Sequence, residues 1–367
     1  MPHTRRTALA GACLAFGVVL SGCTATGPAP DPTATRTSAP LAPLSTLTPP
    51  ADARSITGPS TAFLADAAIP RLEGDWPQRL PVRAISHDLG GEHEIEITAA
   101  ERIVAMDLSG SIAATLAGLG LEDRLVGRDV STTFAGTEDL PLVTVGGHTV
   151  SSEAIIALRP DLVITDGSIG PRDVVEQLRD AGITVLFVDV DPSFDGVAAL
   201  ARQVGAAVGM PEAGEALAEQ LTASIDAKIA EIARLAPSAD PLRMVFLYLR
   251  GSAGVYYLFG DDTGADALIE ALGGIDAAAE AGIVGNRPVT DEALIGAAPD
   301  LVLVMTSGLE SVGGVDGLLE TQPAIALTPA GERRRFVDMD DGVVLGFGPR
   351  TPDVLDALAR AVYAPEA

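Results

Sequence analysis

The chain has 367 residues and carries 50 acidic against 24 basic side chains, a net charge of −26, and from residue 23 onward the balance is 50 against 22. So acidic a surface leaves no basic patch to neutralise phosphates, which argues against a nucleic-acid partner. The only cysteines, Cys13 and Cys23, fall in the first 23 residues, so the body has no disulfide, thiolate zinc site or iron–sulfur cluster. Length and an Ala-, Val- and Leu-rich composition suit two or three α/β units.

Residues 1–22 open with Arg5 and Arg6 and continue as an apolar run from Ala8 to Leu20. The run is short for a membrane span and has the proportions of an export signal. It closes on Leu20-Ser21-Gly22-Cys23, which resembles the lipobox of bacterial lipoproteins. That resemblance implies a signal peptide over 1–22 and acylation of Cys23, holding the chain on the outer face of the cell membrane. Thr4-Arg5-Arg6 weakly resembles a twin-arginine signal, so the export route stays open. From Thr24 to about Ser60 the chain is Pro, Thr, Ala and Ser, too poor in apolar residues to order itself. With an extended lead-in around Trp76, a disordered tether is expected over 23–81.

Residues 82–209 then alternate strand and helix. Val82 to Ser86 and His93 to Thr98 read as a hairpin around Leu89-Gly90-Gly91, followed by a strand at Arg102 to Met106 and a helix at Ser111 to Leu119. Strands near Leu125 to Gly127 and Val143 to Val145 precede Gly146-Gly147-His148. Ser151 or Ser152 caps a helix to about Leu158. A strand at Asp161 to Thr165, a helix at 172–181 and a strand at Thr184 to Asp189 complete a βαβ series, which implies a mostly parallel sheet covered on both faces. Two helical blocks follow, 194–209 and 211–236. The second has Pro211 at its first turn, few breakers and a stop before Pro237; at about 25 residues it is long enough to join two lobes.

The remaining chain, 238–367, repeats the first half. Ser152-Glu153-Ala154-Ile155-Ile156-Ala157-Leu158-Arg159-Pro160-Asp161-Leu162-Val163 is echoed by Asp291-Glu292-Ala293-Leu294-Ile295-Gly296-Ala297-Ala298-Pro299-Asp300-Leu301-Val302. The fold expected is therefore two similar α/β lobes, 82–209 and 238–367, joined by one long helix at 210–237 with a cleft between them. Ligands in open α/β sheets bind beyond the carboxyl ends of the strands.

Pro241 to Gly260 supplies the chemistry of that edge. Met244 to Leu249 reads as a buried strand, and alternation puts Phe246, Tyr248 and Arg250 on one side. A guanidinium two residues from a phenol favours the phenolate, a hard donor known as an axial haem ligand. In the first lobe His148 follows a short strand and two glycines, so His148 and Tyr248 enter the cleft from opposite sides, a fitting axial pair for a planar metal macrocycle. His3, His87 and His93 do not add up to a three-histidine metal site with it. Glu153 and Glu292 stand in the first turns of equivalent helices. The helix dipole alone favours acids there, and their equivalence also suits two basic sites on a pseudo-symmetric partner.

Together the lipobox, the two lobes, the connecting helix and the duplicated Glu-Ala…Pro-Asp-Leu-Val units resemble the substrate-binding proteins of iron-siderophore, cobalamin and haem ABC importers. Within that group, Gly127 to Ser131, Val143 to His148, Phe246 to Gly251, Gly254 to Tyr257 and Arg335 to Asp341 resemble the haemin-binding lipoproteins (HmuT-type) of actinobacterial haem importers. The resemblance covers roughly residues 100–363 and implies a class III, helical-backbone periplasmic-binding-protein fold. It also implies that haem is the transported ligand, with His148 and Tyr248 as axial iron ligands and Arg250 hydrogen-bonded to the Tyr248 oxygen. Met305 and Tyr257 are candidates for the pocket wall. Glu153 and Glu292 would meet arginines of an ABC permease that works with its ATPase, and upstream haem-binding surface proteins are the expected donors. The function implied is haem capture for iron uptake, not enzymic. A ferric siderophore or a corrinoid is the alternative ligand for the same architecture. A secreted hydrolase is disfavoured because no Gly-x-Ser-x-Gly elbow or Ser–His–Asp context is found.

Overall fold

The computed structural model describes residues 41–365 apart from Leu89 and Ser238. The signal at 1–22, Cys23 and the tether as far as residue 40 lie outside the described residues. Among those described, no helix is long and apolar enough to cross a membrane.

The first strand, β1 (Ser60–Ala62), belongs to the sheet of the second lobe. The first lobe opens with an antiparallel hairpin, β2 (Val82–Asp88) and β3 (Gly91–Ile97). There follow β4 (Ile103–Met106), α1 (Ser111–Gly118), β5 (Leu125–Arg128), a small hairpin of β6 (Thr144–Val145) and β7 (Thr149–Val150), α2 (Ser152–Leu158), β8 (Leu162–Thr165), α3 (Asp173–Asp180), β9 (Thr184–Phe187) and α4 (Phe194–Ala207). β5, β4, β8 and β9 lie side by side in that order, all parallel. Every residue of β4 and β8 is buried, as central strands covered on both faces require.

Helix α5 (Pro211–Ile232) leads to the second lobe; its 22 residues stop short of the expected 25 because the chain turns at Ala233 to Leu235. It packs on α4 through two glycines. A Cβ at Gly205 would lie 2.5 Å from the Gly214 Cα, so only glycine at both positions permits this crossing. The second lobe contains β10 (Arg243–Arg250), β11 (Val255–Phe259), α6 (Ala265–Ala271), β12 (Ile275–Asp276), α7 (Ala277–Glu280), β13 (Asn286–Pro288), α8 (Asp291–Ala297), β14 (Leu301–Met305), β15 (Phe336–Met339) and a C-terminal helix (Thr351–Tyr363). Its sheet runs β1-β15-β14-β10-β11-β13 and is mixed rather than mostly parallel. The reason is local. Gly251–Ala253 is a short turn, which allows β11 to return only as a hairpin partner of β10, because a parallel neighbour needs a long crossover.

Period-2 alternation sorts the strand residues into three cores. The outer face of the first sheet, Val104, Val163 and Val185, packs with Ile155, Val174 and Leu178. That of the second, Val245, Leu247, Val302 and Val304, packs with Leu294, Leu318 and Ile325. The inner faces, Ile103 and Ile164 from one lobe with Met244, Phe246 and Leu303 from the other, join a single core with Val204 of α4, Leu217 and Leu221 of α5 and Leu358 of the C-terminal helix. The lobes therefore share a core.

The expected tether is not a tether over its second half. Leu44 and Ala53 are buried in that shared core, and β1 pairs in parallel with β15. Arg54 donates to Asp300 at 3.0 Å and to Asp240 at 2.9 Å in the second lobe. Farther on, the Leu72 and Arg79 amides donate to Gly118 and Gly209 of the first, each at 2.8 Å. Composition measures what a segment can bury against itself. Here scattered apolar side chains find grooves in a body already built, and the backbone finds a sheet edge. A chain starting at Phe63 would lose β1, Leu44 and the Arg54 bridges. Urea denaturation is expected to show it destabilised by at least about 3 kcal/mol; equal stability would make the strap ornamental.

Candidate ligand cleft

Three of the four parallel strands of the first lobe end alike. β4, β5 and β8 run into Asp107-Leu108-Ser109, Asp129-Val130-Ser131 and Asp166-Gly167-Ser168. The three turns interlock. Ser131 Oγ donates to the Leu108 carbonyl at 2.7 Å, and the Leu108 amide donates to Ser168 Oγ at 2.8 Å. Leu108 is thus clamped on both sides while its side chain stays 56% exposed, and Val130 and Val145 are exposed beside the same strand ends. These apolar residues were not singled out from sequence; the recurrence of Asp-x-Ser after β4, β5 and β8 is the signal that marks the turns of Leu108 and Val130.

Beneath them Asp107 is fully buried and accepts from the Ser109 hydroxyl at 2.9 Å and the Ser111 amide at 2.8 Å. Burial, reinforced by the charges of Asp129 and Asp166, pushes its carboxyl up to about 7. Unfolded, it titrates near 4. Between those values the folded chain binds the extra proton, so this group's contribution to stability is greatest at low pH and is lost as pH rises to about 7. Asp107→Asn cannot titrate. Urea denaturation at pH 5 and pH 7.5 is expected to show a shallower fall for the variant than for the wild type; identical falls would refute the assignment.

His148 sits in the turn between β6 and β7, after Gly146 and Gly147 with φ of 57° and 98°, a left-handed pair that glycine adopts freely. Its Nδ1 is buried without a hydrogen-bond partner among the described residues. Burial first and the Arg250 guanidinium second push the imidazole below its ordinary range, against a smaller opposing pull from Asp129. The ring is therefore neutral near pH 7.

From the second lobe, Tyr248 and Arg250 lie on the inner face of β10. The Arg250 Nε–H donates to the Tyr248 hydroxyl oxygen, and the guanidinium carbon lies 5.6 Å from the phenol ring centre. Phe259 stacks with the Tyr248 ring, centre to centre at 5.7 Å and 18° from parallel. Tyr257 pairs directly with Tyr248 across the hairpin and shares its face. Met305 follows Leu303, which pairs with Phe246, so it lies on that face in the row of Tyr248 and is half-buried. The loop after β15 joins the two edges. A Cβ on Gly342 would come within 3.0 Å of Thr133 Oγ1, and one on Gly346 within 3.3 Å of the Ser109 carbonyl.

The other sequence candidates fall elsewhere. Glu153 and Glu292 are exposed in the first turns of α2 and α8, one per lobe. His87 contacts Glu92 and Asp189 at 3.3 and 3.1 Å, while His93 lies against the Gly91 carbonyl. Among the described residues no three acids or histidines are grouped to hold a metal ion.

Two α/β lobes on a shared core, joined by one long helix and meeting at the carboxyl edges of their strands, define a two-lobed ligand-binding receptor. The chain belongs to the periplasmic binding protein family, whose model matches residues 104–343. It is similar to the heme binding protein HmuT, with 40% identity, a TM-score of 0.79 and coverage of 85% of this chain and 99% of that one. HmuT variants with an arginine, a tyrosine or a histidine replaced by alanine are similar as well. The periplasmic heme-binding protein RhuT from Roseiflexus sp. RS-1 is 42% identical, with a TM-score of 0.64 over 73% of this chain and 99% of that one. An uncharacterized ABC transporter substrate-binding lipoprotein, YvrC of Bacillus subtilis (strain 168), is 28% identical over 290 residues, 78% of this chain and 88% of its own.

Proposed function

We propose that the chain is an extracytoplasmic haem receptor, lipid-anchored through Cys23, that captures ferric haem between its lobes and delivers it to an ABC permease and its ATPase for iron uptake. It is a binding protein and not an enzyme. One arrangement supports this reading: the first lobe offers an imidazole with no partner at Nδ1 among the described residues, the second offers a phenol held by an arginine, and the charge of that arginine is felt at the imidazole. A neutral imidazole and a phenol oxygen are an axial pair for haem iron. His148 and Tyr248 are the assigned ligands; Arg250, donating to the Tyr248 oxygen, would stabilise the negative charge that develops there on binding iron. Leu108, Val130 and Val145 on one side and Tyr257 and Met305 on the other supply apolar surface for a porphyrin. Similarity to two heme-binding proteins at 40% and 42% identity supports the same ligand. A ferric siderophore brings its own oxygen donors and would leave the imidazole unused.

The test is a visible absorption titration of the full chain with ferric haemin. A saturable Soret shift ending at one haem per chain is expected. A spectrum indistinguishable from free haemin would overturn the assignment of haem and direct attention to siderophores and corrinoids.

A further inference from the structure

The imidazole Nδ1 is not the only buried polar atom left over on its hairpin. Thr144, the first residue of β6, is 1% exposed, and its Oγ1 likewise has no hydrogen-bond partner among the described residues. A buried hydroxyl without a bond costs stability. Val143 and Val150 beside it are core residues, so this neighbourhood accepts valine, which has the shape of threonine without the oxygen. The hydroxyl is kept where packing alone would discard it.

The pairing of the hairpin says what lies opposite. Thr144 is directly across from Val150, and Val145 from Thr149. Directly paired residues share a face, so the buried pair Thr144 and Val150 forms the inner side and the exposed pair Val145 and Thr149 the outer. His148 stands two residues before Val150, which puts it on the inner side, in agreement with its buried Nδ1. It is thus the diagonal neighbour of Thr144, at a backbone separation of about 7–8 Å that a long side chain partly spans. The two polar atoms make no direct bond. One water molecule is the right length for what remains, and it needs just such polar partners.

The chemistry of the ring gives the pairing a purpose. With Nδ1 buried, Nε2 is the nitrogen left to meet a ligand. An imidazole that offers the Nε2 lone pair to a metal carries its proton on Nδ1, and that N–H needs an acceptor to hold the tautomer and the ring plane. Resting on the reading above, we infer that Thr144 is the positioning residue for His148. Its hydroxyl oxygen accepts from one bridging water, that water accepts from His148 Nδ1–H, and Nε2 is thereby presented to the iron of the bound haem.

The experiment takes two readings on the full chain. Titration with ferric haemin is expected to show Thr144→Val binding about tenfold more weakly than the wild type, with Thr144→Ser restoring most of the affinity. In a His148→Ala background the valine change should cost nothing further. The second reading is nitrogen-15 NMR of the ligand-free chain labelled on its four histidines, the His148 signals being those lost in His148→Ala. The wild type is expected to hold the proton on Nδ1, and Thr144→Val to move it to Nε2. Wild-type affinity and tautomer in the valine variant would overturn the inference. An equal loss of affinity in the His148→Ala background would overturn it too, since that is what a packing role produces. Should the valine variant fail to fold, Thr144→Ala gives the same two readings. If the wild type itself ignores haemin, the assignment of haem falls, and the tautomer still decides whether Thr144 governs the ring.

Discussion

Tyr248→Ala is expected to lower the affinity for ferric haem by about a hundredfold and to change the visible spectrum, the largest effect of any single change in the cleft. The phenol is the best-prepared group there, stacked on Phe259 and held at its oxygen by Arg250. Its loss removes a donor whose position the fold has already fixed. His148→Ala should cost less, because its ring follows a glycine turn and has no hydrogen-bond partner at Nδ1 among the described residues. Titration of both variants beside the wild type decides the matter. Unchanged affinity and spectrum in the tyrosine variant would remove Tyr248 from the iron.

Reversing the two acids expected to meet the permease, Glu153→Lys with Glu292→Lys, is expected to leave the haemin titration unaltered and to abolish haem-dependent growth of cells that rely on this receptor. Both residues are exposed, so exchange should change stability by no more than about 0.5 kcal/mol. At a basic docking site, however, each reversal turns an attraction into a repulsion of several kcal/mol. Either single reversal should leave partial uptake. Normal growth of the double variant would place the docking surface elsewhere.

What was legible in the sequence follows the range of the forces involved. Tyr248 and Arg250 could be paired because strand alternation is a local rule. The duplicated Pro-Asp-Leu-Val units were visible because Asp161 and Asp300 do the same job, accepting from the backbone amides of Arg102 and Arg243 at the start of the adjacent strands. The export signal and Cys23 remain sequence readings, outside the described residues. Leu44 and β1 were misjudged because what they pack on, α5 for the turn holding Leu44 and β15 for β1, is remote in sequence, and composition carries no information about distant grooves. Leu108 went unnoticed because an exposed leucine has no sequence signature; what sets it apart is being clamped from two neighbouring turns. The mixed order of the second sheet depended on the length of one turn, Gly251–Ala253.

The core that runs unbroken through both lobes has a consequence for how ligand leaves. Swinging the lobes apart would bring Phe246, Leu303, Leu217 and Leu358 toward water, each fully buried now and each costing about 2 kcal/mol to expose. An open conformer is therefore scarce in the ligand-free receptor. Almost every molecule in solution is competent to bind, and the observed dissociation constant carries no discount for a rare active form. The same stiffness keeps lobe opening from serving as a fast route of release. Release faster than the unaided rate then takes work done on the receptor from outside, by a partner able to move its two lobes.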